Sequence, residues 1–201
     1  MTTKIMKGIN IIVVFLLSAI LWILGTIVGV FFLGLYPSTY ALLYIFNKDD
    51  LFESVSYVEI FVSFWKAYKK LLKKMKWRVL VTPTIFIILT FDFFIVRQSE
   101  LIRSIFQWPL IFLFVYFLLV SLSYLVQENK TKEKYKNKLK FSMVVPFVLP
   151  LEITIISVFL LSLIAITIKF SWFAIFGISI FLYVVNRLLT SSFARKELIK
   201  N

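Results

Sequence analysis

The stretch LGLYPSTYALLYIFNK, residues 33–48, and the segment beyond its linker, VEIFVSFWKAYKKLLKKMKWR, residues 58–78, decide how this chain is read. The first closes a long apolar run that begins at Ile9. Pro37 disfavours helical geometry at Tyr36 and suits the first turn of a new helix, so the spacing predicts a break at Gly34–Pro37. A short apolar helix from Ser38 to about Phe46 follows, and then a polar linker, Asn47–Ser56. Ile9–Phe46 is 38 residues, about 57 Å of helix at ~1.5 Å per residue and too long for one straight crossing. Nothing polar is available for the outer turn of a hairpin. The reading is therefore one span, 9–34, followed by an interfacial helix, with two tight spans as the alternative.

The second segment reads as an amphipathic helix over about 57–77. Tyr57, Phe61, Phe64, Trp65, Tyr68, Leu71, Leu72 and Met75 recur at helical spacing. Glu59, Ser63, Lys66, Lys70, Lys73 and Lys74 fall on the other side. Aromatic and lysine faces of this kind suit a helix lying in the headgroup plane; a docking helix for a partner is the rival reading.

Composition sets the class. In 201 residues, 61% are hydrophobic and the mean hydropathy is +0.93, above the apolar share of a soluble domain. Several continuous apolar runs reach the ~20 residues that cross a bilayer as helix. Such runs do not alternate as barrel strands do. The chain reads as one all-α, polytopic membrane domain, 1–201, with spans at about 9–34, 79–96, 108–126, 141–168 and 172–189 and the basic amphipathic helix after the first. A basic start before an apolar run resembles a secretory signal, but the run is far longer than a signal core.

The net charge of +13 is accounted for by lysines beside apolar spans, so no nucleic-acid partner is expected and membrane lipids are. Eighteen of the 23 Lys and Arg residues lie in 47–78, 130–140 and the C-terminal end. That basic face is read as cytoplasmic, which places the N-terminus outside and the C-terminus inside. Lys4 and Lys7 disagree mildly and keep a six-span, N-inside arrangement open. The segment ENKTKEKYKNKLK, 128–140, reads as a solvated loop too polar to bury.

Little in the chain suggests catalysis. There is no cysteine and no histidine, which removes thiolate sites, disulfides and the commonest general base and metal ligand. A phosphate-cradling glycine loop is also missing, so no direct nucleotide binding is expected. The expectation is a non-enzyme without cofactor or metal. Two carboxylates fall within apolar spans, where charge is expensive and often functional. Glu152 lies about eleven residues into the span at 141–168, after Pro146 and Pro150. It either faces a polar cavity, coupling ion or partner near mid-membrane, or sits by the headgroups because the span starts later. Asp92 lies near the outer end of the span at 79–96, within reach of the interface or of Arg97. Gly25 and Gly29 form a small-xxx-small pair, with Gly34 beyond, suited to close helix approach.

Gly34-Leu-Tyr-Pro-Ser-Thr-Tyr-Ala-Leu42 resembles the YesL family of bacterial membrane proteins, whose pattern is glycine, an aromatic, Pro, a small residue, Thr and Ala-Leu. Phe64-Trp65-Lys66-Ala67-Tyr68-Lys69-Lys70 is similar to the same family's aromatic-Trp-x-x-Tyr-Lys-Lys element. This chain departs in having Ser38 for the commoner alanine and an acidic linker, Asp49, Asp50 and Glu53. The family is of unknown function, and its members are often encoded beside carbohydrate importers. The resemblance implies an accessory, non-catalytic subunit of an oligosaccharide ABC importer in a bacterial cell membrane, packed against permease subunits. Trp65, Tyr68 and the Gly34–Thr39 elbow, which carries Pro37, Ser38 and Thr39, would be its shape-determining residues. The alternative is an independent small transporter or channel using Glu152 as its coupling residue.

Overall fold

The computed structural model describes residues 2–48, 51–52, 56–76, 80–131 and 133–195. Asp49, Asp50, Glu53, Trp77, Arg78, Val79, Lys132, Lys196 and Lys200 lie outside the described residues. Among the described residues the secondary structure is helical: α1 Thr2–Val28, α2 Phe32–Phe46, α3 Tyr57–Met75, α4 Val81–Val96, α5 Glu100–Lys130, α6 Tyr135–Val148, α7 Pro150–Lys169 and α8 Phe173–Arg195. Among the described residues, four segments are long and apolar enough to cross a membrane: Met6–Val28, Glu100–Lys130, Pro150–Lys169 and Phe173–Arg195. Leu33–Phe46 and Val81–Val96 are shorter apolar helices.

The first apolar segment does not run on to an interfacial helix. It turns back on itself at Gly29–Phe31, and α2 returns along α1. Gly29 faces Gly34, Gly25 faces Ser38, Trp22 bonds Thr39 and Phe15 meets Phe46, the descending register of an antiparallel pair. The expected break at Gly34–Pro37 is displaced to the turn, and Pro37 lies inside α2. The apolar turn needs no polar side chain because the backbone closes it. Val30 N donates to Ile27 O at 3.0 Å and Phe31 N to Thr26 O at 2.9 Å, with Val30 and Phe31 at φ of 54° and 57°. A Cβ on Gly29 would strike Gly34 Cα, and one on Gly34 would strike the Thr26 carbonyl. The two glycines therefore set how closely the helices approach at the turn.

Helix α2 is the centre of the molecule. Tyr40, Ala41, Leu42, Leu43, Ile45 and Phe46 are all buried, between α1, α3, α5 and α8. Helix α3 runs beside the hairpin rather than apart from it. Its buried stripe is Ile60, Phe64, Ala67, Tyr68 and Leu71, about one residue round from the expected stripe. Tyr57 and Phe61 consequently point outward. The stripe packs on protein, on α2 and α1, and not on a lipid surface.

Two further hairpins complete the bundle. Phe86 meets Phe114 between α4 and α5, and Phe159 stacks on Phe181 between α7 and α8. The span expected at 141–168 is two helices, broken at Leu149 with Pro150 opening α7. Proline fits there because a first-turn N–H has no intrahelical partner to lose. The basic segment 128–140 is not a solvated loop throughout: α5 continues to Lys130, α6 begins at Tyr135, and Glu128 and Lys138 are buried.

Candidate functional site

The densest polar cluster lies where the ends of α3, α5 and α6 meet. Helix α6 carries Lys138, Ser142 and Val145 on its buried face, with Leu149 next in the same helical series. Lys138 Nζ is held by Glu128 Oε2 at 2.7 Å and by the Thr131 carbonyl at 2.7 Å. The Lys138 and Glu128 side chains are only 1% and 3% exposed. Lys74, from α3, closes on the other oxygen, Glu128 Oε1. Beside them Gln127 Nε2 donates to Ser142 Oγ at 3.0 Å, and Ser142 Oγ donates to the Lys138 carbonyl at 2.8 Å. With a cation on each oxygen, Glu128 is tied to its neighbours rather than presented to a ligand. A buried pair of this kind is costly to break from one side only.

The elbow residues lie one layer away. Ser38 is fully buried against Gly25, where the small side chain admits close packing. Thr39 Oγ1 accepts from Trp22 Nε1 at 3.1 Å and donates to the Leu35 carbonyl at 2.8 Å, pinning α1 to α2. Tyr68 donates to the Gly25 carbonyl at 3.1 Å, and burial pushes its phenol pKa up. Trp65 is half-buried among Phe61, Phe64 and Tyr68. Gly25, Gly29, Gly34, Ser38, Thr39 and Tyr68 thus lie in one interface, α1–α2–α3, and their contacts are within the chain; Pro37 is buried inside α2.

The two carboxylates expected within apolar spans, Glu152 and Asp92, are separate from this cluster and from each other. Glu152 lies in the first turn of α7 and accepts from Ser192 Oγ at 2.7 Å, joining α7 to α8. The helix break at Leu149 puts it at the end of the Pro150–Lys169 span instead of its middle. Asp92 is half-buried on α4, and Arg97 lies over the Phe93 ring, 5.4 Å from its centroid. Among the described residues no three acidic side chains come together as a metal site would need.

Two adjoining cavities of about 180 and 360 Å³ share Tyr36, Thr82, Phe86 and Ser121 as walls. They lie between α2, α4 and α5, one reaching α6, with mainly apolar linings.

Sequence reasoning missed the Glu128–Lys138 pair. The signal was present: Lys138, Ser142, Val145 and Leu149 recur at spacings of four, three and four, a buried helical stripe beginning on a lysine.

Among the described residues the chain is all-helical, and its long apolar helices are those of a membrane protein. Comparison with protein families matches residues 15–93 to the family described as "Protein of unknown function, DUF624". The matched segment contains both blocks that resemble YesL proteins, 34–42 and 64–70, and the part of the α1–α2–α3 interface from Gly25 to Tyr68. No curated protein and no solved structure matches the chain.

Proposed function

We propose that this protein is a non-catalytic accessory subunit of an oligosaccharide ABC importer in a bacterial cell membrane. The importer association comes from the resemblance to YesL proteins. The observation that carries the accessory role is how the polar side chains are used. Glu128 joins α5 to α6 and α3, Glu152 joins α7 to α8, and Asn186 of α8 reaches Asn47 at the end of α2. Asn10 of α1 bonds the Phe52 carbonyl at 2.8 Å and accepts from Tyr57 of α3 at 2.8 Å. Polar groups spent on tying helix to helix suit a rigid scaffold better than a lined path for an ion.

The glycine-bearing interface is occupied within the chain, which leaves the outward aromatic flank of α4 and α5 for a permease. Phe91, Phe94, Phe106, Trp108 and Phe112 are exposed there. The last turns of α3, the end of α5 and the start of α6 meet at Lys74, Glu128 and Lys138, and the proposed orientation puts that lysine-rich end in the cytoplasm by the positive-inside rule. The N-terminus is then outside and the C-terminus inside.

Uptake of a labelled oligosaccharide, measured in cells with and without this chain, tests the reading. Uptake is expected to fall on removal and to be restored equally by the native chain and by Glu152→Gln. Unaltered uptake on removal contradicts the accessory role. Rescue by the native chain but not by Glu152→Gln moves the function to a coupling carboxylate.

A further inference from the structure

The outward face of α3 changes character along its length. Tyr57, Val58, Phe61 and Val62 are exposed in its first turns. From Lys66 onward the exposed positions are Lys66, Lys69, Lys70, Leu72, Lys73 and Lys74. A shallow depression of about 620 Å³ is lined by five side chains, all lysines: Lys66, Lys69, Lys70, Lys73 and Lys74. Lys74 is answered by Glu128. Among the described residues, Lys66, Lys69, Lys70 and Lys73 have no carboxylate partner. The one exposed acid on the helix, Glu59, is already taken by Lys48 at 2.5 Å. Four unanswered ammonium groups in one depression repel one another and favour an anion.

The apolar half of the same face says which anion. Val62 lies one turn before Lys66, and Trp65 one turn before Lys69. From Lys69 back to Val58 is eleven residues, about 16 Å at ~1.5 Å per residue. That is close to half of a ~30 Å hydrocarbon core, the depth of one leaflet. Half-buried Trp65 stands at the boundary between the two halves, the depth that tryptophan favours in membranes. An acidic protein segment would match the lysines but leave Val58, Phe61 and Val62 without an apolar partner.

We propose that α3 carries a binding site for an anionic phospholipid. The phosphate seats among Lys66, Lys69, Lys70 and Lys73, and an acyl chain lies along Trp65, Val62 and Val58. The site stands on the surface of α3 alone and does not depend on the importer reading. It also uses more than non-directional attraction to a charged membrane, because it predicts one set of lysines and not another.

The test is native mass spectrometry of the full chain released from mild detergent micelles holding equal amounts of phosphatidylglycerol and phosphatidylcholine. Retention of phosphatidylglycerol in preference to phosphatidylcholine is expected. The variant Lys66→Gln/Lys69→Gln/Lys70→Gln/Lys73→Gln should weaken that retention by on the order of tenfold or more. The variant Lys130→Gln/Lys134→Gln/Lys136→Gln/Lys140→Gln, with the same loss of charge on exposed positions, should leave it unchanged. Equal retention of the two lipids by the native chain overturns the proposal whether or not either variant folds. Equal losses in the two variants also overturn it, since charge alone would then account for retention. Displacement of the lipid by inorganic phosphate at matching concentration would make the depression an anion site with no lipid requirement. Retention displaced instead by an acidic peptide, with no preference between the lipids, would assign the face to a protein partner.

Discussion

Lys138 is one of six lysines placed at every second position from Lys130 to Lys140, and composition alone does not separate it from the others. What separates it is helix phase. Once α6 starts at Tyr135, residue 138 shares a face with Ser142 and Val145, and the lysine is drawn inward with them. Its charge is tolerated because Glu128 and the Thr131 carbonyl are both within hydrogen-bond reach. Removing one member of a buried pair leaves the other charge unpaired, at a cost of about 3–5 kcal/mol, whereas replacing both with apolar groups is often neutral. Lys74 still holds Glu128 when Lys138 is removed, so the informative single variant is Glu128→Met, which leaves buried Lys138 without its carboxylate and is expected to destabilise the protein by about 3–5 kcal/mol. Glu128→Met/Lys138→Met should recover most of that loss, as read by denaturant unfolding in detergent. A single variant as stable as the native chain would show that the pair does not tie α5 to α6.

At the level of elements, the helical character and the later apolar segments were legible because their runs are long and continuous. Helix α4, Val81–Val96, lies within the expected 79–96, and α8 begins at Phe173 beside the expected 172 but runs on to Arg195, past the expected 189. The first hairpin was not legible, for a physical reason. A reversal through Val30 and Phe31 needs positive φ at two bulky residues, which local sequence disfavours. It is held by tertiary packing of Gly29 on Gly34 that no local signal reports. Glycine spacing pointed to close helix approach, and the approach proved to be within the chain. Pro37 misled because proline inside a helix is costly, yet α2 carries it near its start.

The hairpin has a consequence for proximity that the interfacial-helix reading does not share. Asn10 touches Phe52 and Tyr57, so the start of α1 and the start of α3 lie at one end. Because the chain contains no cysteine, introduced cysteines report cleanly. Asn10→Cys and Tyr57→Cys together, replacing side chains that bond at 2.8 Å, should be joined within one chain by a short bifunctional thiol crosslinker. Absence of that crosslink would restore a single span followed by an interfacial helix.

On the scale of the whole molecule, the three hairpins α1–α2, α4–α5 and α7–α8 are joined by α3 and α6, the two helices that bring lysines to Glu128. The basic segments that the sequence assigned to one face do not all meet. Lys48 pairs with Glu59 at the start of α3, while Lys66–Lys74 lie in its second half. Glu152, the strongest single functional candidate on the sequence, is at a helix start bonded to Ser192. Its apparent mid-membrane depth came from reading α6 and α7 as one span. If the chain is an accessory subunit as proposed, its partner is set by the surface of another protein, which the residues of this chain do not encode.

If this scaffold works in a complex, as proposed, co-purification shows it most directly. The chain is extracted in mild detergent through a C-terminal tag, and what accompanies it is identified by mass spectrometry. Permease and ATPase subunits in fixed ratio are the predicted result. Reproducible recovery of the protein alone would contradict the account.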